Sequence, residues 1–178
     1  MSLLVAYLAG CLLLVGAGIA KALDPADTAR ALTGLVRLRH AGGLVRVLAA
    51  AEGLLGIAGL ARPGIATATL VAASYGSFTG FVLFARRRRG PLSTCGCFGE
   101  PDTPATYLHA VVTAGLAAAS ASVAVAAASI AGRPIWELLS AGRSPLEAAV
   151  AASLSVAVAW LAYLAMSPLA RLQAARTR

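Results

Sequence analysis

This sequence has little charge. Only 12% of its residues are Asp, Glu, Lys or Arg, about half the share found in ordinary soluble domains. Aromatic residues are also few, at 6%. None is interleaved with basic residues in the way nucleic-acid surfaces require, so a net charge of +8 does not point to nucleic acid as a partner. Three cysteines are too few for a disulfide-rich secreted scaffold. There is no phosphate-cradling glycine loop, no dinucleotide fingerprint, no zincin motif and no nucleophile elbow.

Apolar residues dominate instead. They make up 59% of the chain, and the mean hydropathy is +0.80. This is the composition of an integral membrane protein, and 178 residues allow one helical bundle of roughly four to six spans. The basic residues cluster at the ends of apolar runs, as membrane orientation demands.

The expected fold is therefore an all-α integral membrane protein, a single helical domain over residues 1–178. It has about five transmembrane helices and one interfacial amphipathic helix. Ser2 to Lys21 forms the first apolar run, long enough at 1.5 Å per residue to cross the hydrocarbon core. No Lys or Arg precedes Leu3, which favours a true span (about 2–22) over a cleaved signal peptide. Asp24 can then cap a helix whose first position suits Pro25, with Asp27 complementing its positive start. That helix, about 25–40, is too short and too charged to span. It is read as lying at the interface and ending at Gly42-Gly43. The remaining spans are placed at about 44–61, 64–85, 105–131 and 146–166, with Arg62-Pro63-Gly64 as a tight turn between the second and third. The fourth is rich in small residues, which let helices approach closely in lipid.

With five spans and the amino terminus outside, Lys21, Arg30, Arg37, Arg39, Arg46, Arg86 to Arg89, Arg171, Arg176 and Arg178 face the cytoplasm. That is 12 of the 15 basic residues, leaving only Arg62, Arg133 and Arg143 outside. This bias predicts a cytoplasmic carboxyl terminus and puts the loop after the third span on the cytoplasmic side.

That loop carries Cys95-Gly96-Cys97-Phe98-Gly99, directly after the four arginines. The thiolate is the form that attacks disulfides and binds soft metals, and the neighbouring positive charge favours it. Gly96 gives the freedom that a ring closed over three residues would need, and strained disulfides tend to be the reactive ones. The pair reads as a dithiol/disulfide exchange couple, as inert loop cysteines, or as half of a soft-metal (Cu or Zn) site. No set of Cys and His completes a zinc site, since His40 and His109 are the only histidines.

Glu52 lies inside the second span, roughly 12 Å from its start by helix rise. An intramembrane carboxylate is costly and usually has a partner or a function. Lys21 can reach towards it by snorkelling, or can pair with Asp24 one turn on. Glu52 is then either half of a structural pair or a proton carrier for the thiols. His109 opens the fourth span on the side of the cysteine loop, where it is a satisfied interfacial histidine or an aid to thiol deprotonation. Cys11 lies mid-span, where a cysteine is usually inert, with a relay role as the alternative. Electrons for the cysteine pair would have to come from another thiol protein or a membrane quinone.

Taken together, Gly18-x-x-Lys21-x-x-Asp24-Pro25 after the first span, Glu52-Gly53 with Gly56 in the second, an aromatic third span ending in arginine, and Cys95-Gly96-Cys97-Phe98-Gly99 resemble the MauE (methylamine utilisation protein) family of the wider DoxX-like membrane group. The resemblance covers most of Leu3 to Leu116. It implies a multi-pass protein of the bacterial inner (cytoplasmic) membrane that works with a thioredoxin-like partner to support disulfide formation or redox balance of extracytoplasmic proteins. Cys95 and Cys97 would then be the redox pair, with Lys21, Asp24 and Glu52 lining the same site. A thiol-disulfide oxidoreductase is the enzyme class implied. The alternatives from other classes are a soft-metal binding or transport protein using the same cysteines and a non-catalytic assembly subunit. The family role concerns the outside, whereas the charge bias puts the loop inside. Either Cys11 or a rearrangement passes electrons across, or the loop folds into the bundle.

Overall fold

Where each helix starts and stops follows from local chemistry. The first, α1 (Ser2–Leu23), is an uninterrupted apolar run without proline. It stops at Asp24 because Pro25 pushes the preceding residue out of the helical region. Asp24 then caps α2 (Ala26–Leu35): its Oδ1 accepts the Ala26 N–H at 3.1 Å, with Pro25 at the first helical position. The Arg62-Pro63-Gly64 turn separates α3 (Ala41–Ala61) from α4 (Ile65–Arg87). Thr67 secures that turn by accepting the Gly64 N–H at 2.9 Å. After α5 (Tyr107–Ala126), the last helix α6 (Pro145–Met166) opens with a reciprocal capping box. In it, Ser144 N–H donates to Glu147 Oε2 at 2.8 Å and Glu147 N–H donates to Ser144 Oγ at 3.3 Å.

The computed structural model describes residues 2–35, 41–87, 107–127 and 144–166, and the structural statements here concern those residues. Among them every regular element is a helix, and five (α1, α3, α4, α5, α6) are long and apolar enough to cross a membrane. This is the expected all-α membrane bundle, with α2 as the short extra helix. Gly42 and Gly43 do not end the interfacial helix as expected. Both sit in the first turn of α3, which begins at Ala41. In an apolar segment that must satisfy its own backbone, two glycines are tolerated within a helix. The ends of the interfacial helix and of the fourth span, the cysteine loop and the carboxyl-terminal tail lie outside the described residues.

The bundle is organised around α1, which packs against α3, α4, α5 and α6. Half of its apolar window is buried, against 17% for α6, so α1 is the core helix and α6 lies at the periphery. The α1–α3 seam shows why. Tyr7 and Cys11 on α1 meet Gly59 and Gly56 on α3, Gly18 meets Ala49, and Lys21 meets Glu52, while Leu14 and Val45 continue the two buried rows. Both rows repeat at alternate steps of four and three, the spacing that keeps two antiparallel helices in register over several turns. Glycines bring the backbones together. A Cβ on Gly18 would stand 2.7 Å from the Ala49 carbonyl oxygen, and one on Gly56 would stand 2.6 Å from that of Cys11. In lipid, such close packing is a main source of helix association.

Candidate functional site

The chemistry-bearing residues collect at one end of the bundle. Lys21 lies near the carboxyl end of α1, and α3 starts at that same end. Side chains on a helix lean towards its amino terminus. Lys21 therefore leans inward, away from the interface, while Glu52, on the antiparallel neighbour, leans outward to meet it. Lys21 Nζ donates to Glu52 Oε1 at 2.8 Å and to Oε2 at 2.6 Å. The two side chains are 3% and 4% exposed. With α3 starting at Ala41, Glu52 sits about 16 Å along its helix, deeper than its expected position. An ion pair so placed is held because neither charge has water to return to.

Lys21 thus takes the distant partner of the two open to it. Asp24 is exposed and occupied in capping α2, so the expected Lys21–Asp24 pair is not formed among the described residues. The reason is direction: Asp24 follows the end of α1 and faces out, whereas Lys21 faces the seam.

Two aromatic residues of α4 complete the surroundings of the ammonium. Its Nζ lies 5.0 Å from the centroid of Phe78, a cation–π contact. Phe78 in turn meets Tyr75 edge-on, with centroids 6.0 Å apart. Tyr75 O–H donates to the Gly10 carbonyl at 2.6 Å and so ties α4 to α1. The sequence marks both residues as aromatics of the third span but says nothing of their role. Their separation of three residues, which puts them on one face of the helix, is the signal they leave.

His109 is buried, at 2% exposed. Its Nε2 lies 2.7 Å from the Met166 carbonyl oxygen. A carbonyl only accepts, so Nε2 carries the hydrogen. His109 thereby satisfies a carbonyl in the last turn of α6, where the helix has no partner of its own. One turn further, Thr113 meets Thr79 of α4, with the hydroxyls 2.8 Å apart. Lys21, Tyr75, Phe78, His109, Thr113 and Met166, with Leu13, Leu14, Ala17 and Val82, line a small and almost wholly apolar chamber of about 30 Å³.

This chamber lies at the end of the bundle where α4 finishes and α5 begins. The two helix ends are held together there: the Arg86 guanidinium stacks 3.6 Å from the centroid of Tyr107. Cys95 and Cys97 belong to the segment between them, outside the described residues. Cys11 is buried with a free thiol further along the α1–α3 seam. A Cβ on Gly59 would meet its Sγ at 2.7 Å, so the sulfur fills the space that the glycine leaves. Tyr7 O–H, one turn away, donates to the Gly59 carbonyl at 3.3 Å. On the other flank of α1, an apolar groove of about 470 Å³ runs between α1 and α6, bordered by Gly16, Ile19, Trp160 and Tyr163. Among the described residues no three His, Cys, Asp or Glu side chains converge as a metal site would require.

The family model for methylamine utilisation protein MauE matches residues 1–128, a stretch that takes in Lys21, Asp24, Glu52, the cysteine loop and His109. No curated protein and no solved structure shows a significant match to the chain.

Proposed function

The chain belongs to the MauE family, and on that premise we propose that it is a membrane thiol-disulfide exchange protein whose working pair is Cys95 and Cys97. The observation that supports this reading is the buried Lys21–Glu52 pair, gathered with His109 at the end of the bundle from which the cysteine segment leaves. A charge pair buried within a membrane bundle is costly and usually has a function, and thiol exchange needs groups that take and return protons.

The step balances as follows. One thiolate of the pair attacks a disulfide of a thioredoxin-like partner, forming a mixed disulfide and breaking the partner's bond. The second cysteine then attacks its neighbour's sulfur, closes the Cys95–Cys97 disulfide and releases the partner as a dithiol. The pair loses two electrons and two protons, and the partner gains both. Run in reverse, the same chemistry oxidises the partner. In this reading Glu52 accepts a proton from an attacking thiol and returns it to the leaving sulfur. Lys21 holds the carboxylate in place, and Asp24 fixes the chain where α1 passes into α2. A membrane quinone is the other acceptor class, and its tail would lie in the groove between α1 and α6. The protein would serve disulfide formation or redox balance of extracytoplasmic proteins from the bacterial inner membrane, with its amino terminus outside.

Thiol labelling tests this directly. A membrane-impermeant maleimide is applied to intact cells and to opened vesicles, before and after reduction, in a Cys11→Ser background. Labelling of Cys95 and Cys97 only after reduction is the expected result, and the compartment that labels fixes the side of the loop. Full labelling without reductant, together with stoichiometric Cu(I) or Zn(II) that is lost on changing either cysteine, would replace this reading with soft-metal binding. Full function of a Cys95→Ser/Cys97→Ser chain would leave only an assembly role.

A further inference from the structure

Where α4 ends and α5 begins, the bundle presents cationic groups that the helices themselves leave unused. The apolar window of α4 runs from Ile65 to Phe84, 20 residues. At 1.5 Å per residue that matches the hydrocarbon core, so Arg86 and Arg87 follow at the level of the lipid headgroups. Tyr107 opens α5 at the same level, since its ring carries the Arg86 guanidinium at 3.6 Å. Tyrosine belongs in this layer, where its ring meets apolar surface and its hydroxyl meets polar groups. Tyr107 is 68% exposed. Arg87 is exposed too, and among the described residues neither its guanidinium nor the Tyr107 hydroxyl has a hydrogen-bond partner. Neither α4 nor α5 contains an acidic residue. From Arg86 to Tyr107 the sequence sets four arginines, Arg86 to Arg89, against only Glu100 and Asp102.

We propose that this end of the bundle is a binding site for an anionic phospholipid, whose headgroup phosphate is held by Arg86, Arg87 and the Tyr107 hydroxyl. A guanidinium offers its N–H groups as a fork that fits phosphate oxygens, and the phenol donates one more hydrogen bond. The Arg86–Tyr107 stack sets one guanidinium beside the hydroxyl before any ligand arrives, which lowers the cost of ordering them. An exposed apolar strip continues from these groups towards the membrane centre. Leu83 and Phe84 precede Arg87 by one turn on its face of α4, and Val111 follows Tyr107 by one turn on α5. Headgroup site and strip together fit a ligand that has both an anionic head and a hydrocarbon tail. Free phosphate or an acidic peptide would leave the strip bare. Arginine clusters directly beyond a span are a mark of anionic-lipid contact. The site borders the segment that holds Cys95 and Cys97, but it goes beyond the redox reading and does not depend on those thiols.

Tyrosine makes the site visible. The chain has four, of which Tyr7 and Tyr75 are buried in the core and Tyr163 borders the groove between α1 and α6. Full-length protein with ring-labelled tyrosine is followed by NMR in neutral detergent micelles while phosphatidylglycerol is added. The expected result is a shift of the Tyr107 signal that saturates at a single lipid per chain. Phosphatidylcholine, which has the same tails but no net charge, should bind about tenfold more weakly or less, and inorganic phosphate should leave Tyr107 unmoved. Arg86→Gln/Arg87→Gln should weaken phosphatidylglycerol binding by about 25-fold, and Arg87→Gln alone, which keeps the stack, by about fivefold. Arg62→Gln, in the turn between α3 and α4 at the other end of the bundle, loses the same charge and should change nothing. The titration of the unchanged chain and of Arg87→Gln decides the matter even if Arg86→Gln does not fold. A Tyr107 signal that phosphatidylglycerol leaves in place would overturn the proposal. Equal binding of phosphatidylcholine or inorganic phosphate would also overturn it, as would an unchanged affinity in folded Arg87→Gln.

Discussion

Lys21 and Glu52 are 31 residues apart in sequence, yet Nζ stands 2.6 Å from Oε2 with both side chains almost wholly out of contact with solvent. Removing one partner leaves the other as an isolated charge in a low-dielectric interior. Glu52→Gln or Lys21→Met alone is expected to destabilise the bundle by about 3–5 kcal/mol, while Lys21→Met/Glu52→Met recovers most of that loss. Unfolding in mixed detergent checks the stabilities. If the stable double variant also keeps full thiol-exchange activity, the pair is structural and has no proton role.

Phe78 contributes the face of its ring to the same ammonium. Phe78→Leu keeps most of the apolar burial and loses the quadrupole, so a cost of about 0.5–2 kcal/mol is expected, with Phe78→Trp retaining the interaction if the ring is accommodated. The effect should vanish in a Lys21→Met background. A double-mutant cycle measures that coupling, and a coupling near zero would show that the ring merely fills space.

The α1–α3 seam depends on backbone contact. At Gly56 a Cβ would meet the Cys11 carbonyl oxygen and the Val15 side chain, at 2.6 and 2.7 Å. Gly56→Ala is therefore expected to push the helices apart at a cost of about 1–3 kcal/mol. Gly76→Ala and Gly115→Ala, where an added Cβ meets nothing within 4 Å, serve as controls. Those two should be neutral or slightly stabilising, since alanine is the better helix former. Thermal unfolding of the three variants in one detergent decides the matter.

Cys11 is buried where the seam is tightest. In a Cys95→Ser/Cys97→Ser chain it should resist maleimide in the folded protein and label fully once the protein is unfolded. Fast labelling of the folded chain would place water or an opening motion at this sulfur and revive its role as a relay.

The capping box at the start of α6 is exposed, so its contribution is local. Ser144→Ala removes an acceptor for the Glu147 N–H and should cost about 1 kcal/mol. Ser144→Asp should restore it. Amide exchange in the first turn of α6 reads the change without perturbing the rest of the bundle.

Much of this architecture was legible in the order of residues. Long apolar runs can satisfy their backbone in lipid only as helices, so the number of candidate spans followed directly. Asp24-Pro25 announced both the end of α1 and the start of α2, because the proline restricts the residue before it and suits the first helical position. Gly42-Gly43 misled, since glycine punctuates helices in water but is tolerated within them in a membrane. The last helix starts one residue earlier than hydropathy placed it, at Pro145, because the Ser144 and Glu147 capping box fixes its first turn.

The site divides in the same way. That Glu52 needed a partner was determined by its type and its depth, as was the reach of the Lys21 side chain. Which acid Lys21 would choose was not, because two lay within reach along the chain. Tertiary structure decided it through the antiparallel register of α1 and α3, set by glycines at positions 18 and 56, which turns Lys21 and Glu52 towards each other and leaves Asp24 facing out. The same holds for Phe78, Thr113 and His109. Their residue types were plain in the sequence, but their meeting around one chamber depends on the packing of α1, α4, α5 and α6. Contacts between distant segments are made by the rotation and depth of each helix, and these follow from the packing of whole surfaces rather than from any local run of residues.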